Sequence, residues 1–129
     1  MGRLRDTTAT NVTAGREIQI RIARRIRETE QKAQILSDRL VRGGQPISAE
    51  DAMAALEKLH KADQEIDQLL MELVAAGVLE GATAAQAAKL TGIGTATLTR
   101  RLPRELTDMR GRHLAPDRKA RWRYRVSET

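Results

Sequence analysis

Residues 83–103 (TAAQAAKLTGIGTATLTRRLP) constrain the fold of this chain most, because they predict two short helices joined by a tight turn. Thr83 opens the first helix and has the spacing of a capping box to the glutamine three positions later. Gly92 supplies the positive φ that a tight turn between two helices requires. The second helix is expected to begin near Thr95 and to end before Pro103, which cannot continue a helix.

The small and branched residues of this stretch predict which helix faces are buried. Ala88 allows the two helices to cross closely, and Leu98 and Leu102 share the inner face of the second helix at i and i+4. This arrangement is a helix-turn-helix, which places its second helix in the major groove of DNA. The side chains left on the outer face, which we expect to contact base edges, are Thr95, Ala96, Thr99 and Arg100.

The residues GIGTATLTRRLP, preceded by Ala88, resemble the helix-turn-helix of DNA invertases and resolvases and, more loosely, that of many bacterial repressors. The resemblance is confined to residues 83–103 and implies DNA binding by this segment. It implies no recombination chemistry, because a recombinase needs a catalytic domain with a nucleophilic serine. Residues 1–80 are instead predicted to be helical.

The distribution of charge favours a polyanionic partner. The chain has a net charge of +6, but residues 43–88 sum to −6, whereas residues 1–42 and 89–129 sum to +5 and +7. Positive charge is therefore concentrated from the predicted turn onward, as an interface with nucleic acid requires. The residues that we expect to hold the DNA backbone are Thr83, Arg101, Arg104, Arg118, Lys119, Arg121, Arg123 and Arg125.

The composition argues against a large core and against an enzyme. Hydrophobic residues make up 40% of the 129 residues, but nineteen of them are Ala and none is Phe, which favours long Ala-rich helices. The chain has no Cys and two His, so we expect no metal and no cofactor. No apolar run approaches a signal peptide or a membrane span, so we expect a cytoplasmic, nucleoid-associated protein without a membrane partner.

The first thirteen residues lack periodicity, and we predict that residues 1–13 form a disordered basic arm. Two interpretations of Arg3 and Arg5 remain open. The two side chains either enter the minor groove of DNA or belong to a solvated tail.

Two long helices are predicted to follow. Apolar residues at spacings of three, four and seven predict one helix over residues 14–42. The segment GGQPIS ends it at Gly43, and Ser48 opens a second helix that runs to Gly77. The short connection makes the helices antiparallel neighbours, so residues 14–76 are predicted to form a helical hairpin. The first helix should bury one face formed by Ile18, Ile22, Ile26, Ala33, Leu36 and Leu40, with a second apolar edge at Ile20, Ile35 and Val41.

The hairpin offers more apolar surface than one seam between two helices needs, which predicts a homodimer. Asp63 interrupts the stripe of the second helix, where it either fixes the register or marks the point at which the helix leaves its partner. The alternative to a homodimer is a second protein that binds the hairpin. The stripe consists of Ala52, Leu56, Leu59, Ile66, Leu70 and Leu73.

The C-terminal residues predict a β-hairpin. Ala120, Trp122, Tyr124 and Val126 alternate with three arginines, a period of two that is typical of a strand with one apolar and one cationic face. Residues 112–114 are the expected partner strand, with the turn at residues 115–117. A β-hairpin after a recognition helix is the wing of a winged helix. The alternative is a disordered basic tail.

The sequence thus predicts a mainly α fold, with an antiparallel long-helix hairpin (14–76) followed by a winged helix-turn-helix domain (77–129) and a short C-terminal β-hairpin. The expected function is sequence-specific binding of double-stranded DNA by a dimeric transcriptional regulator. One alternative is a partition or conjugation accessory protein of a mobile element. Another is a helical protein-interaction adaptor in which the helix-turn-helix is purely structural.

Overall fold

The computed structural model describes residues 5–41 and 45–127, and it is mainly helical. Two long helices, α1 (Ala9–Leu40) and α2 (Ala49–Glu80), form an antiparallel hairpin. The expected positions of Arg3 and Gly43 lie outside the described residues. The shorter elements are, in chain order, α3 (Ala84–Thr91), α4 (Thr95–Arg101), α5 (Arg104–Thr107), β1 (Leu114–Pro116) and β2 (Tyr124–Val126).

The chain divides into two compact units, and both long helices contribute to each of them. The terminal unit comprises Met1–Ile22 and Met71–Thr129, and the hairpin unit comprises Ala23–Leu70. Fifteen basic and eight acidic side chains give the terminal unit a net charge of +7, whereas the hairpin unit carries −1. The excess positive charge therefore belongs to the unit that contains all the short helices and both strands.

The core of the terminal unit draws on every helix around it, and the small-residue helix α3 contributes only Ala87. The last turns of α2 bury Ala75, Ala76 and Leu79 completely. The two alanines let the neighbouring elements approach the helix closely. The other core side chains are Ile18 of α1, Leu98 of α4, Leu106 of α5, Leu114 of β1 and Tyr124 of β2.

The first helix buries the face that its sequence pattern predicts. Ile18 and Ile22 are buried in the terminal unit, and the later members of the stripe are half-buried in the hairpin unit. Ile20, Ile35 and Val41, the expected second apolar edge, are exposed. Two antiparallel helices share only one seam, so no described residue covers this edge.

The expected stripe of α2 is correct at Ala52, Leu59, Ile66 and Leu73, which are half-buried, but its other members lie one residue away from the buried line. Leu56 and Leu70 are 57% and 43% exposed, whereas Ala55 and Leu69 are buried. Asp63 is exposed, and the neighbouring alanine at position 62 takes its place in the seam. Heptad spacing fits the line of Leu56 and Leu70 and the line of Ala55 and Leu69 equally well. The larger leucine side chains favoured the first line, which is exposed.

The expected disordered arm is wrong for residues 9–13, which are helical. Thr8 and Asn11 start α1 with a reciprocal cap, in which each side-chain oxygen accepts the backbone N–H of the other residue at 3.1 Å. Asn11 is completely buried. Its Nδ2 donates to the carbonyl oxygens of Met109 (3.2 Å) and Arg112 (2.7 Å), and its Oδ1 accepts from the Gly111 N–H (2.7 Å). The start of α1 is thereby tied to the segment that precedes β1.

The C-terminal β-hairpin forms, but with shorter strands than expected. β2 begins at Tyr124 rather than at residue 120, and residues 117–123 form the loop between the strands. Ala115 and Pro116, expected in the turn, instead pair with Arg125 and Tyr124. Proline is tolerated there because a two-stranded ribbon has edge positions that need no N–H donor.

A backbone reversal at Arg123 delays the start of β2. Arg123 has a φ of 65°, in the left-handed region that an extended strand cannot use. The N–H of Asp117 donates to the carbonyl oxygen of Arg123 at 2.8 Å, which closes the loop. Trp122, expected on the core face of a longer strand, is half-buried in this loop.

None of the helices in the described part of the chain combines the length and apolar character that a bilayer-spanning segment requires.

Candidate nucleic-acid interface

Helices α3 and α4 are adjacent and are joined by residues 92–94. The predicted capping box is present: the Thr83 hydroxyl accepts the Gln86 N–H at 3.1 Å, and Gln86 Oε1 accepts the Thr83 N–H at 2.9 Å. Gly92 has the predicted positive φ, at 74°, and its N–H donates to the carbonyl oxygen of Ala88 at 2.9 Å. Local sequence signals thus fix both ends of α3.

The seven-residue helix α4 buries Leu98 alone and turns the rest of its surface outward. The hydroxyl of Thr99 donates to the carbonyl oxygen of Thr95 at 2.8 Å, so its oxygen keeps lone pairs available to an external donor. The guanidinium of Arg100 lies 3.5 Å from the Thr97 hydroxyl, a contact too long to hold it firmly. The four candidate base contacts, all exposed, are Thr95, Ala96, Thr99 and Arg100.

Neither the backbone conformation nor any described neighbour requires glycine at position 94. Its φ is −62°, which every residue adopts, and a Cβ added to it would meet no atom within 4 Å. It is the N-cap of α4 yet makes no side-chain cap, although Ser, Asp or Asn would cap the helix better. The absence of a side chain leaves open space beside the exposed face of α4. That space would suit a close external partner.

The expected backbone contacts fall in three places. Thr83 caps α3 and is half-buried, so its hydroxyl already has a structural role. Arg101 ends α4 and Arg104 begins α5. The cations among these contacts are all exposed. Those in the loop between the strands are Arg118, Lys119, Arg121 and Arg123, and Arg125 lies on β2.

Arg121 is engaged by carboxylates. Its Nη2 lies 3.2 Å from Oε1 of Glu72, its Nη1 lies 3.6 Å from Oε2 of Glu105, and its guanidinium covers the Trp122 ring at 4.7 Å. The side chain of Glu72 is only 11% exposed, so the loss of its cation would leave a nearly buried charge without compensation. Arg121 therefore joins the loop to α2 and α5, and a phosphate would have to compete with both carboxylates.

The base of the loop rests against α1. Arg21 donates to the carbonyl oxygen of Trp122 at 3.1 Å, and the Tyr124 hydroxyl donates to Glu17. Burial, then the hydrogen bond and the negative charge of Glu17, raise the pKa of Tyr124, and the nearby Arg21 opposes this shift. The phenol stays protonated near neutral pH and keeps its bond to Glu17. A cavity of about 530 Å³ beside these groups is also lined by Pro116, Asp117, Arg118 and Arg123.

Arg110, which we did not expect at any site, has a structural role. Its Nε donates to the carbonyl oxygen of Arg5 at 2.7 Å, and its Nη1 donates to the carbonyl oxygens of Val78 (3.1 Å) and Ala82 (2.7 Å). A guanidinium that binds one carbonyl in the last turn of α2 and another just beyond it stabilises the end of that helix. Arg110 is therefore one cation of the terminal unit that is already occupied inside the fold.

Within residues 5–41 and 45–127, no three His, Asp or Glu side chains converge as the ligands of a metal ion would. Comparison of the chain with protein families, with curated proteins and with solved structures finds no match.

Proposed function

We propose that this chain binds double-stranded DNA sequence-specifically by inserting α4 into the major groove. One observation carries the proposal. Helix α4 buries Leu98 and exposes all four candidate base contacts, and it belongs to a unit whose net charge is +7. Arg100 is suited to reading guanine, and the methyl groups of Ala96 and Thr99 are suited to contact with the methyl group of thymine. The resemblance of this segment to the helix-turn-helix of DNA invertases and resolvases supports the same function.

In this proposal the C-terminal β-hairpin acts as a wing. Its exposed cations, with Arg101 and Arg104 beside α4, hold phosphate groups and set the orientation of the protein without reading sequence. Arg121 contributes less than the others, because Glu72 and Glu105 already neutralise it. Thr83 contributes least, because both its hydroxyl and its N–H already serve the capping box of α3.

Occupation of a DNA site fits a transcriptional regulator best, because the proposed interface includes no group arranged for catalysis. Selection of bound duplexes from a random pool tests the proposal directly. A recovered motif with two-fold symmetry supports a dimeric regulator, and a tandem array of repeats supports the partition or conjugation role. Failure to retain any duplex at low salt would refute DNA binding and leave the interaction adaptor.

Substituting Gly94 separates folding from DNA binding. Gly94→Asp and Gly94→Asn should each raise the free energy of unfolding by a few tenths of a kcal/mol, because both side chains cap α4 better than glycine does. Gly94→Asp should nevertheless weaken DNA binding about tenfold or more, since it places a carboxylate beside the phosphates. Gly94→Asn, which has nearly the same size without the charge, should weaken binding much less.

Chemical denaturation and fluorescence anisotropy of the full chain measure the two effects. Equal DNA affinity of the Gly94→Asp and wild-type proteins would exclude close approach of DNA to this side of α4.

We also propose a homodimer formed through the exposed side of α2. Leu56, Asp63 and Leu70 are exposed at intervals of seven residues, so two antiparallel copies related by a two-fold axis at Asp63 would place Leu56 opposite Leu70 of the partner subunit. The two Asp63 carboxylates would face each other at the axis, so the leucine contacts must outweigh their repulsion. Light scattering should give a dimer at micromolar concentration. The double variant Leu56→Asp and Leu70→Asp should be a folded monomer, because each carboxylate would lose its water in the interface.

Ile20→Asp, an equally exposed apolar position on α1, is the matched control and should leave the dimer intact. A monomeric wild-type protein would refute the proposed dimer.

A further inference from the structure

One side of the hairpin unit carries a groove between α1 and α2, with a volume of about 380 Å³. Its apolar floor is formed by Ile35, which is 55% exposed, and by the half-buried Leu36 and Ala62. A floor of this kind, formed by residues 32–39 of α1 and 58–65 of α2, offers aliphatic contacts to a third helix. It lies in Ala23–Leu70, the unit that has no part in the proposed contacts with DNA.

The rim of the groove is strongly cationic. Its only carboxylate, Glu65, already pairs with Arg25 at 2.9 Å. Of the rim cations, Lys61 pairs with Glu57 at 3.2 Å, where both side chains are exposed to solvent. Among the described residues, the other three have no carboxylate partner. The four rim cations are Lys32, Arg39, Lys58 and Lys61.

We infer that this groove binds an acidic amphipathic helix of another protein. Leucine or a similar side chain would cover Ile35, Leu36 and Ala62, while carboxylates on the flanks of the helix would meet the four cations. The groove thus supplies both halves of the recognition chemistry, an apolar centre and a charged rim. The inference goes beyond the proposed function and does not depend on it, because it gives the hairpin unit a partner of its own.

Two other occupants fit the groove less well. DNA has no aliphatic surface to match the floor, and the hairpin unit as a whole carries −1, so it has no net attraction for a long polyanion. A second copy that presented the same groove would bring cations against cations. The proposed dimer face, with Leu56, Asp63 and Leu70, is formed by exposed residues of α2 that do not line the groove.

The test uses the full chain and a labelled synthetic peptide of about four helical turns, acetylated and amidated, with leucine at helical spacings of three and four and glutamate elsewhere. Fluorescence anisotropy at low ionic strength should show saturable binding. A peptide with lysine in place of every glutamate should not bind. A peptide of the same composition with its leucines scattered around the helix should bind much more weakly, because it presents no apolar stripe.

Variants locate the site. Lys32→Glu with Lys58→Glu should weaken peptide binding about tenfold or more, since two attractive exposed pairs become repulsive. Ile35→Ala should weaken it severalfold without changing any charge. Arg24→Glu with Arg27→Glu makes the same change of charge in the same unit at exposed positions outside the groove, and should have little effect beyond screening.

Several outcomes would overturn the inference. They are the absence of acidic-peptide binding at millimolar concentration, equal binding of the lysine peptide, equal weakening by the Arg24 and Arg27 control, and a change of oligomeric mass in the Lys32 and Lys58 variant. The last would assign the groove to a second copy. Loss of DNA affinity in that variant but not in the control would assign it to DNA instead. Retention of peptide binding by the Gly94→Asp variant keeps this inference separate from the proposed DNA function.

Discussion

Replacing Asn11 by alanine should lower the free energy of unfolding by about 3 kcal/mol, because the Gly111 N–H would lose its hydrogen-bond acceptor and the carbonyl oxygens of Met109 and Arg112 would each lose one of their two donors. The completely buried amide of Asn11 donates to the carbonyl oxygens of Met109 and Arg112 and accepts the N–H of Gly111. It also completes the reciprocal cap with Thr8. Alanine supplies none of these bonds and leaves room for at most a poorly placed water.

Urea denaturation of the full chain measures this effect, and the transition should move to lower urea with little change in slope. Asn11→Asp keeps the acceptor but loses the donor and buries a charge, so it should destabilise the fold at least as much. Thr13→Ala is the matched control, since the exposed Thr13 hydroxyl bonds only to the carbonyl oxygen of Ala9 within the same helix. A loss below about 0.5 kcal/mol for Asn11→Ala would mean that the start of α1 is not docked in solution.

Asn11 also marks a limit of prediction from sequence. The spacing of Thr8 and Asn11 is a helix-start signal, but a weak one, because Asn replaces the Glu or Gln of a typical capping box. The tertiary hydrogen-bond partners of Asn11 could not be predicted from the sequence. They lie about a hundred positions along the chain, and periodicity assigns apolar residues to a core but not a satisfied amide.

Signals confined to a few residues predicted the structure well. The capping box at Thr83, the left-handed Gly92 and the end of α4 before Pro103 each depend on backbone geometry within one turn of chain. The two long helices also follow from local pattern, as does their antiparallel arrangement. Local chemistry decides where a helix begins and ends, so it is readable without knowledge of the neighbours.

Features that depend on a partner element were predicted less well. The side of α2 that is buried depends on the position of α1, and the heptad spacing alone fits both the line of Leu56 and the line of Ala55. The alternation from Ala120 to Val126 predicts a long strand, but β1 has only three residues with which to pair. The chain before Tyr124 therefore turns, and the buried indole N–H of Trp122 has no hydrogen-bond partner among the residues that the structure describes.

The candidate interface also has one part that the sequence predicts and one part that it does not. The outward position of the four α4 side chains follows from helix periodicity once Leu98 is assigned to the core, and all four are exposed. The engagement of Arg121 by Glu72 and Glu105 does not follow, because the carboxylates come from α2 and α5. A basic residue in sequence indicates a cation on the surface. Whether that cation is already neutralised depends on the fold.

Arg100→Ala should cost about 1–3 kcal/mol of affinity for the preferred DNA site and relax specificity at one or two base positions. Among the described residues, the guanidinium of Arg100 has only the long contact to Thr97, so its loss should leave the fold unchanged. Binding to unrelated DNA should fall much less, since Arg104 and the cations of the loop still hold the phosphates. Specific and non-specific affinities must be measured at one salt concentration.

Leu98→Ala, two positions away, is the contrasting variant. Leu98 is completely buried, so its truncation should cost about 2–5 kcal/mol of folding stability, with DNA binding lost only in proportion to unfolding. If Arg100→Ala weakens specific and non-specific binding equally, Arg100 contacts a phosphate and base reading lies elsewhere. If it weakens neither, α4 does not enter the groove, and the positive charge of the terminal unit serves a different partner.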